Sequence, residues 1–249
     1  MTFKDHFSKR SSDYAKYRPT YPLALFEFLA SVVPSHQRAW DCATGNGQAA
    51  RGLASFFEHI IATDASSAQI SNAPAHEKIT YSVAPAEQTG IESGSIDLVT
   101  VAQALHWLDL DKFYAEVQRV LRPSGIFAAW SYDLLNISAE IDPKITHLYE
   151  EVVGPYWPPE RSIVEDGYRS VAFPFREVKT PHLRMQADWS LAELLGYVRS
   201  WSATQRFIEA RGFDPVPEFA EEMLDVWGVP EEKRPVAWPL SLRVGIVAS

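Results

Sequence analysis

The chain is poor in cysteine, in clustered positive charge and in long apolar runs, and each shortage removes a class of protein. Cys42 is the single cysteine, so no internal disulfide and no thiolate zinc centre can be built from this chain. That suits a reducing, cytoplasmic compartment, and no metal site is expected. Lysine and arginine number 23 against 32 aspartates and glutamates, leaving a net charge of −9. The densest basic stretches, Lys9-Arg10 and Lys233-Arg234, are pairs. An acidic chain without a basic patch repels phosphate backbones, which argues against nucleic acid as a main partner. The longest apolar stretch near the start, residues 23–33, is interrupted by Glu27 and is too short to span a bilayer. Residues 1–18 mix charges and aromatics without an apolar core, so neither a signal peptide nor a membrane partner is expected. Internal repeats and low-complexity segments are missing as well.

What is present is the composition of a globular protein: 46% hydrophobic and 22% charged residues. The aromatic share is 12%, and seven of the eight tryptophans fall after residue 100. Between residues 38 and 131 short apolar runs alternate with helical spacing. Strands are expected over 38–43, 59–63, 79–83, 96–102 and 126–130, and helices over 48–57 and 109–121, with Ser66 and Ser67 as N-cap candidates for a further helix. The run Ile-Asp-Leu-Val-Thr-Val-Ala at 96–102 is β-branched and apolar on both faces, as a covered parallel strand requires. The alternation predicts a doubly wound, mostly parallel α/β sheet. A helix over 22–33 precedes this core. After it, residues 132–170 read as helix and loop, 175–189 as extended chain, 191–210 and 218–226 as helices, and 238–247 as a strand returning to the sheet. The division expected is therefore a core at 1–131, an inserted helical and aromatic lid at 132–237 and a final core strand at 238–249.

The segment Asp-Cys-Ala-Thr-Gly-Asn-Gly at 41–47 lies between a strand and a helix, and its glycines allow a sharp turn with close backbone approach to a ligand. Asp64 ends the next strand 23 residues after Asp41, the spacing at which an acid accepts hydrogen bonds from ribose hydroxyls. Together they describe a nucleoside-binding crevice at the carboxyl ends of the strands.

The pattern Asp41-x-Ala43-x-Gly45-x-Gly47 resembles the first motif of class I S-adenosylmethionine-dependent methyltransferases, with Asp64 matching the ribose-binding acid. Ala-Pro-Ala-Glu-Gln-Thr-Gly at 84–90, followed by 96–99, resembles the stretch whose Ala-Glu pair borders the adenine. Arg-Val-Leu-Arg-Pro-Ser-Gly at 119–125 resembles the helix end before the fifth strand. Tyr-Ala-Lys-Tyr-Arg-Pro-Thr-Tyr-Pro at 14–22 and Gln-Ala-Leu-His-Trp at 103–107 resemble the trans-aconitate-methyltransferase-like branch of small-molecule enzymes. The likeness covers residues 10–131 well and the rest more loosely. It implies a seven-stranded Rossmann-like fold and methyl transfer from S-adenosylmethionine, with S-adenosylhomocysteine as product, to a small acceptor, a carboxylate or hydroxyl oxygen ahead of nitrogen or carbon. It places Asp41, Ala43, Gly45, Gly47 and Gln103 at the methionine end, Asp64 at the ribose, and Ala86 and Glu87 at the adenine. Tyr17 and Arg18 belong to a segment folding over the cofactor. Ala43 replaces the loop's usual first glycine, an exchange expected to restrict the backbone only slightly. Pro85 stands where an acid often reads the adenine amino group, which leaves that contact to backbone near Ala86 and to Glu87.

His106 follows the fourth strand at the crevice mouth, which makes it the candidate general base or a residue that orders the loop. Trp107, Tyr156 and Trp157 are candidates for the acceptor pocket. Two other readings stay open. A nicotinamide-dependent oxidoreductase would want Gly-x-Gly-x-x-Gly, but Ala50 stands at its third glycine. A non-catalytic protein that binds the nucleoside as a structural ligand would need the same crevice.

Overall fold

The computed structural model describes residues 19–247; the sequence candidates Tyr17 and Arg18 lie outside them. A first helix, α1 (Leu23–Val32), precedes an alternating series: β1 (Arg38–Cys42), α2 (Gln48–Leu53), β2 (His59–Asp64), α3 (Ser67–Asn72), β3 (Ile79–Val83), β4 (Ile96–Ala102), α4 (Leu110–Val120) and β5 (Leu121–Tyr132). The four pairings that join β3, β2, β1, β4 and β5 are all parallel. Seven strands lie side by side in the order β3-β2-β1-β4-β5-β8-β6, where β8 (Arg234–Ile246) and the two-residue β6 (Arg176–Glu177) run antiparallel to their neighbours. An eighth strand, β7 (Leu183–Trp189), pairs with the first half of β8. The doubly wound, mostly parallel sheet expected from the sequence is present. No helix among the described residues is long and apolar enough to cross a membrane.

The central strand β4 is buried on both faces. Ile96, Leu98, Val99 and Val101 are fully enclosed, each contributing about 1.5–3 kcal/mol of burial. Its acidic member, Asp97, is paid for at the opposite end from the crevice: it accepts the Gln37 and Arg38 N–H groups at 2.9 and 2.8 Å and pairs with Arg122 at 2.7 Å. One face of the sheet packs on Phe26, Leu29, Leu53 and Phe57 of and beside α1 and α2; the other packs on Phe113 and Val117 of α4 and on Val164, Tyr168 and Phe175.

A third core belongs to the part after β5. It is built by α5 (Asp142–His147), the π-helical turn 148–152, β7, and the helices α7 (Leu191–Arg199), α8 (Ser202–Arg211) and α9 (Val216–Trp227), with the short α6 (Arg161–Glu165) at its edge. Here the structure corrects the sequence boundaries. The expected helix 191–210 is two helices, broken at Ser200 and Trp201, and the final strand begins at Arg234 rather than at residue 238. The tryptophan excess also finds its place. Trp130, Trp227 and Trp238 are fully buried and Trp189 and Trp201 nearly so; they are core side chains more than lining for a ligand.

Candidate active site

Asp41, Ala43, Gly45, Gly47, Asp64, Gln103 and His106 lie at or just after the carboxyl ends of β1, β2 and β4, and Ala86 and Glu87 follow β3, where a parallel sheet opens its crevice. At the end of β1, Asp41 is fully buried beneath the loop it organises. Its carboxylate accepts Thr44 Oγ1 at 2.5 Å, the Ala50 N–H at 3.1 Å and Thr100 Oγ1 at 2.8 Å. Burial pushes the carboxyl up to about 6 against the pull of those three donors. Asp41 thus shapes the loop from below. Gly45 and Gly47 hold left-handed backbone, φ +58° and +79°. A side chain at Gly47 would overlap the Tyr81 ring and hydroxyl, whereas one at Gly45 would meet nothing closer than Gln69 Oε1 at 4.0 Å. The first glycine keeps space clear above the backbone, and the second lets Tyr81 pack onto the loop. Tyr81 was not among the sequence candidates, because a tyrosine in an edge strand carries no signal of what it covers.

Ala43 corrects the expectation of a mild exchange. Its φ is +53°, a conformation that costs an L-residue about 1–2 kcal/mol. Asp64, at the end of β2, accepts the Gly45 N–H at 2.9 Å through one oxygen and the Ser66 N–H at 2.8 Å through the other, so its carboxylate is fixed at the loop's edge. Asp41, Glu87 and Asp64 all hold the buried Cys42 thiol well above its ordinary range, after burial itself, so three carboxylates surround this end of the crevice.

Ala86 is buried, and Glu87 accepts the Asp109 N–H at 3.2 Å where α4 begins. Their loop is anchored further by Glu116 of α4, which accepts the Thr89 N–H and hydroxyl at 2.7 and 2.6 Å and pairs with Arg119. Gln103 also has left-handed backbone, φ +56°; its N–H donates to the Trp130 carbonyl at 2.9 Å and its side chain to the Tyr132 carbonyl at 3.3 Å, lashing the ends of β4 and β5 together.

His106 sits in a single 3-10 turn, 105–107, with its ring 4.6 Å from that of Trp107 and its Nδ1 3.2 Å from the Tyr168 hydroxyl. Burial, and then the Arg161 guanidinium, push the imidazole down to about 3. It is neutral at pH 7 and a weak proton acceptor. Tyr168 is fully buried at φ +64°, its carbonyl held by Arg243 at 2.7 Å.

Beside this turn, at the end of β5, a cleft of about 740 Å³ is lined by Asp133, Tyr149, Trp157, Arg161 and Glu165 among others. Trp157 is therefore brought to the cleft, while Tyr156 packs 5.1 Å from Phe207 and Trp107 packs against His106. Arg161, Asp133 and Tyr149 escaped the sequence reading, since nothing in a chain order relates residues 133, 149 and 161 to residue 106.

A strand, a left-handed glycine loop, a helix and an acid ending the next strand, on a sheet of this order, define the class I methyltransferase architecture. A methyltransferase-domain family matches residues 40–129. A protein of Dictyostelium discoideum named as a methyltransferase is 35% identical over 90% of this chain and 87% of its own length. Yeast CRG1, named as an S-adenosylmethionine-dependent methyltransferase, is 33% identical over 49% of this chain and 45% of its own. A solved structure described as a type II methyltransferase from Anaeromyxobacter dehalogenans is 44% identical, with a TM-score of 0.89 over 93% of this chain and 98% of that one. The chain belongs to the class I S-adenosylmethionine-dependent methyltransferases; it is an enzyme whose cofactor is S-adenosylmethionine, and the nicotinamide and non-catalytic readings fall away.

Proposed function

We propose that the enzyme methylates a small acceptor on oxygen, a carboxylate before a hydroxyl, in the cleft beside His106. The observation that carries this is the cleft itself. Its volume of about 740 Å³ is that of a small-molecule site, and Asp133, which follows the carboxyl end of β5, lies in its wall. The crevice residues fit the cofactor. Gly45 leaves the space a ligand backbone contact needs, Asp64 is poised for the ribose, the 84–90 loop with Ala86 and Glu87 borders the adenine, and Gln103 closes the methionine end. The acidic surroundings of Asp41, Asp64 and Glu87 suit a sulfonium, which supplies an already activated methyl group.

With the donor activated, alignment does much of the work. His106, pushed down to about 3, offers little drive for removing a proton, so an acceptor that arrives deprotonated is favoured. A carboxylate is such a nucleophile at pH 7; a hydroxyl is less so. His106 then acts as a positioning residue held by Tyr168. The segment between β5 and β8 is the lid that sets acceptor choice. A net charge of −9 supports a small acceptor over nucleic acid, and the lone buried Cys42 supports a reducing, cytoplasmic setting.

Supplying methyl-labelled S-adenosylmethionine with a fractionated metabolite extract tests the reading. The expected product is small, solvent-extractable and releases label as methanol in base, as a methyl ester does. Label retained on polynucleotide or protein, or held in a base-stable amine, would overturn it.

A further inference from the structure

Arg161 and Asp133 line the same cleft but do not form an ion pair with one another. The Arg161 guanidinium is held in place: its Nε donates to the Tyr149 hydroxyl at 2.5 Å, and its plane lies 4.8 Å from the Trp157 ring centre and 5.3 Å from that of Tyr149. Its outer nitrogens make no hydrogen bond among the described residues, although the side chain is only 20% exposed. A guanidinium pinned by its inner nitrogen and two aromatic faces presents a planar, two-pronged donor to the cleft, the form that matches a carboxylate. Asp133 follows β5 directly. Its backbone N–H is used by Pro239 at 3.1 Å, and its half-buried carboxyl has no hydrogen-bond partner among the described residues. Burial raises that carboxyl, Arg161 and Arg169 lower it and Glu165 raises it further. Glu165 accepts the Tyr149 hydroxyl at 2.5 Å and pairs with the inner nitrogen of Arg161 at 3.6 Å, which leaves the outer nitrogens open; Glu150 lies exposed at the rim. One unspent donor fork and one unspent acceptor therefore face a single cavity with an aromatic wall.

We infer that the cleft takes an organic acid carrying a second, hydrogen-bond-donating group: the carboxylate seats on the outer nitrogens of Arg161, the donor on Asp133, and the apolar body against Trp157. Calling this ligand the methyl acceptor rests on the function proposed above; the binding itself does not. The geometry also assigns selectivity. A ligand lacking the carboxylate leaves Arg161 unmatched, and one lacking the donor leaves Asp133 unmatched, and unmet buried partners reject analogues more strongly than lost apolar contact does.

The experiment is calorimetric titration of the full chain, saturated with S-adenosylhomocysteine, with the ortho, meta and para hydroxyphenylacetates, their methyl esters, the corresponding aminophenylacetates and phenylacetate. At least one hydroxy or amino acid is expected to bind tenfold or more tightly than both its ester and phenylacetate. Arg161→Met should erase the preference over the ester, and Asp133→Ala the preference over phenylacetate, each variant keeping its affinity for S-adenosylhomocysteine. Equal binding of acid, ester and phenylacetate to the wild type, or no binding by any, overturns the inference without needing either variant to fold. Titration of S-adenosylhomocysteine alone separates the two claims: a chain that binds the acid but not the nucleoside keeps this site and loses methyl transfer.

Discussion

Ala43 and Gln103 end neighbouring parallel strands, and both are forced into left-handed backbone without being glycine. Strain of this kind persists where surrounding contacts over-determine it. For Gln103 those contacts are visible in its bonds to the Trp130 and Tyr132 carbonyls. For Ala43 no side-chain bond offsets the cost, so Ala43→Gly should stabilise the protein. The relief of about 1–2 kcal/mol exceeds the extra chain entropy of glycine, about 0.5–1 kcal/mol. A gain of about 0.5–1 kcal/mol is therefore expected in the unfolding free energy, read as a higher urea midpoint, with affinity for S-adenosylhomocysteine unchanged. His106 makes a second, pH-dependent prediction. Its folded pKa of about 3 lies below the ordinary 6.5, so between those values the unfolded chain binds a proton that the native one refuses. The stability it contributes is complete above pH 6.5 and is lost as pH falls toward 3, with a slope approaching ~1.4 kcal/mol per pH unit. Asp41, raised to about 6, acts in the opposite sense over about pH 4–6. Subtracting the stability of His106→Gln from that of the wild type isolates the histidine: the difference should shrink steadily from pH 7 to pH 4, and a flat difference would place the imidazole in water.

At the scale of elements, helix α4 does more than cover the sheet. Through Glu116 it holds the 84–90 loop, and through the Asp109 N–H it holds Glu87. Four hydrogen bonds converge on Glu116, two from Thr89 and two from Arg119, whose guanidinium first of all holds the carboxyl down to about 2. Glu116→Ala leaves the part-buried Thr89 N–H without its acceptor, a loss of about 1 kcal/mol. Because the same loop borders the expected adenine site, affinity for S-adenosylhomocysteine should fall with it, while Glu116→Gln restores part of both. Loss of stability without loss of affinity would detach the loop from the cofactor. This anchoring was invisible in the chain order, as were the ends of several elements. The five parallel strands were legible because their apolar runs are short, bounded and β-branched, and the loop at 41–47 because glycines and acids at fixed spacing leave a sequence trace. Strand β8 was legible only in its second half. The strand carries Pro235 and Pro239, and between them Ala237 donates its N–H to the Asn136 carbonyl. By alternation the missing N–H groups at 235 and 239 face that same side, away from the β7 ladder, and cost it nothing. The cleft left still less trace: Arg161 takes its meaning from Tyr149, Trp157 and Asp133, which only tertiary packing brings together.

On the scale of the whole molecule, the crevice and the cleft share one edge of one sheet but rest on different cores. The glycine loop stands over the packing of α1, α2 and α4, whereas Tyr149 and Trp157 stand over the aromatic core that follows β5. Methyl transfer needs the two held in register, and β8 is built to do it. Its residues Val236 and Trp238 lie in the aromatic core and pair with β7; Val244 lies in the core beneath α1 and pairs with β5. One continuous strand of 13 residues therefore couples both halves, and unfolding either removes ladder bonds from the other. The described residues should then melt as a single cooperative unit, with calorimetric and van't Hoff enthalpies equal. Trp238 is the sharpest probe of that coupling. It is fully buried, donates its indole N–H to the Tyr197 hydroxyl at 3.2 Å and sits 4.7 Å from the Trp189 ring. Trp238→Ala should cost about 3–5 kcal/mol and move the whole transition to lower temperature as one peak. Two peaks, the upper one unmoved and still shifted by S-adenosylhomocysteine, would mean that the lid folds as a separate body and that β8 does not carry the register between donor and acceptor.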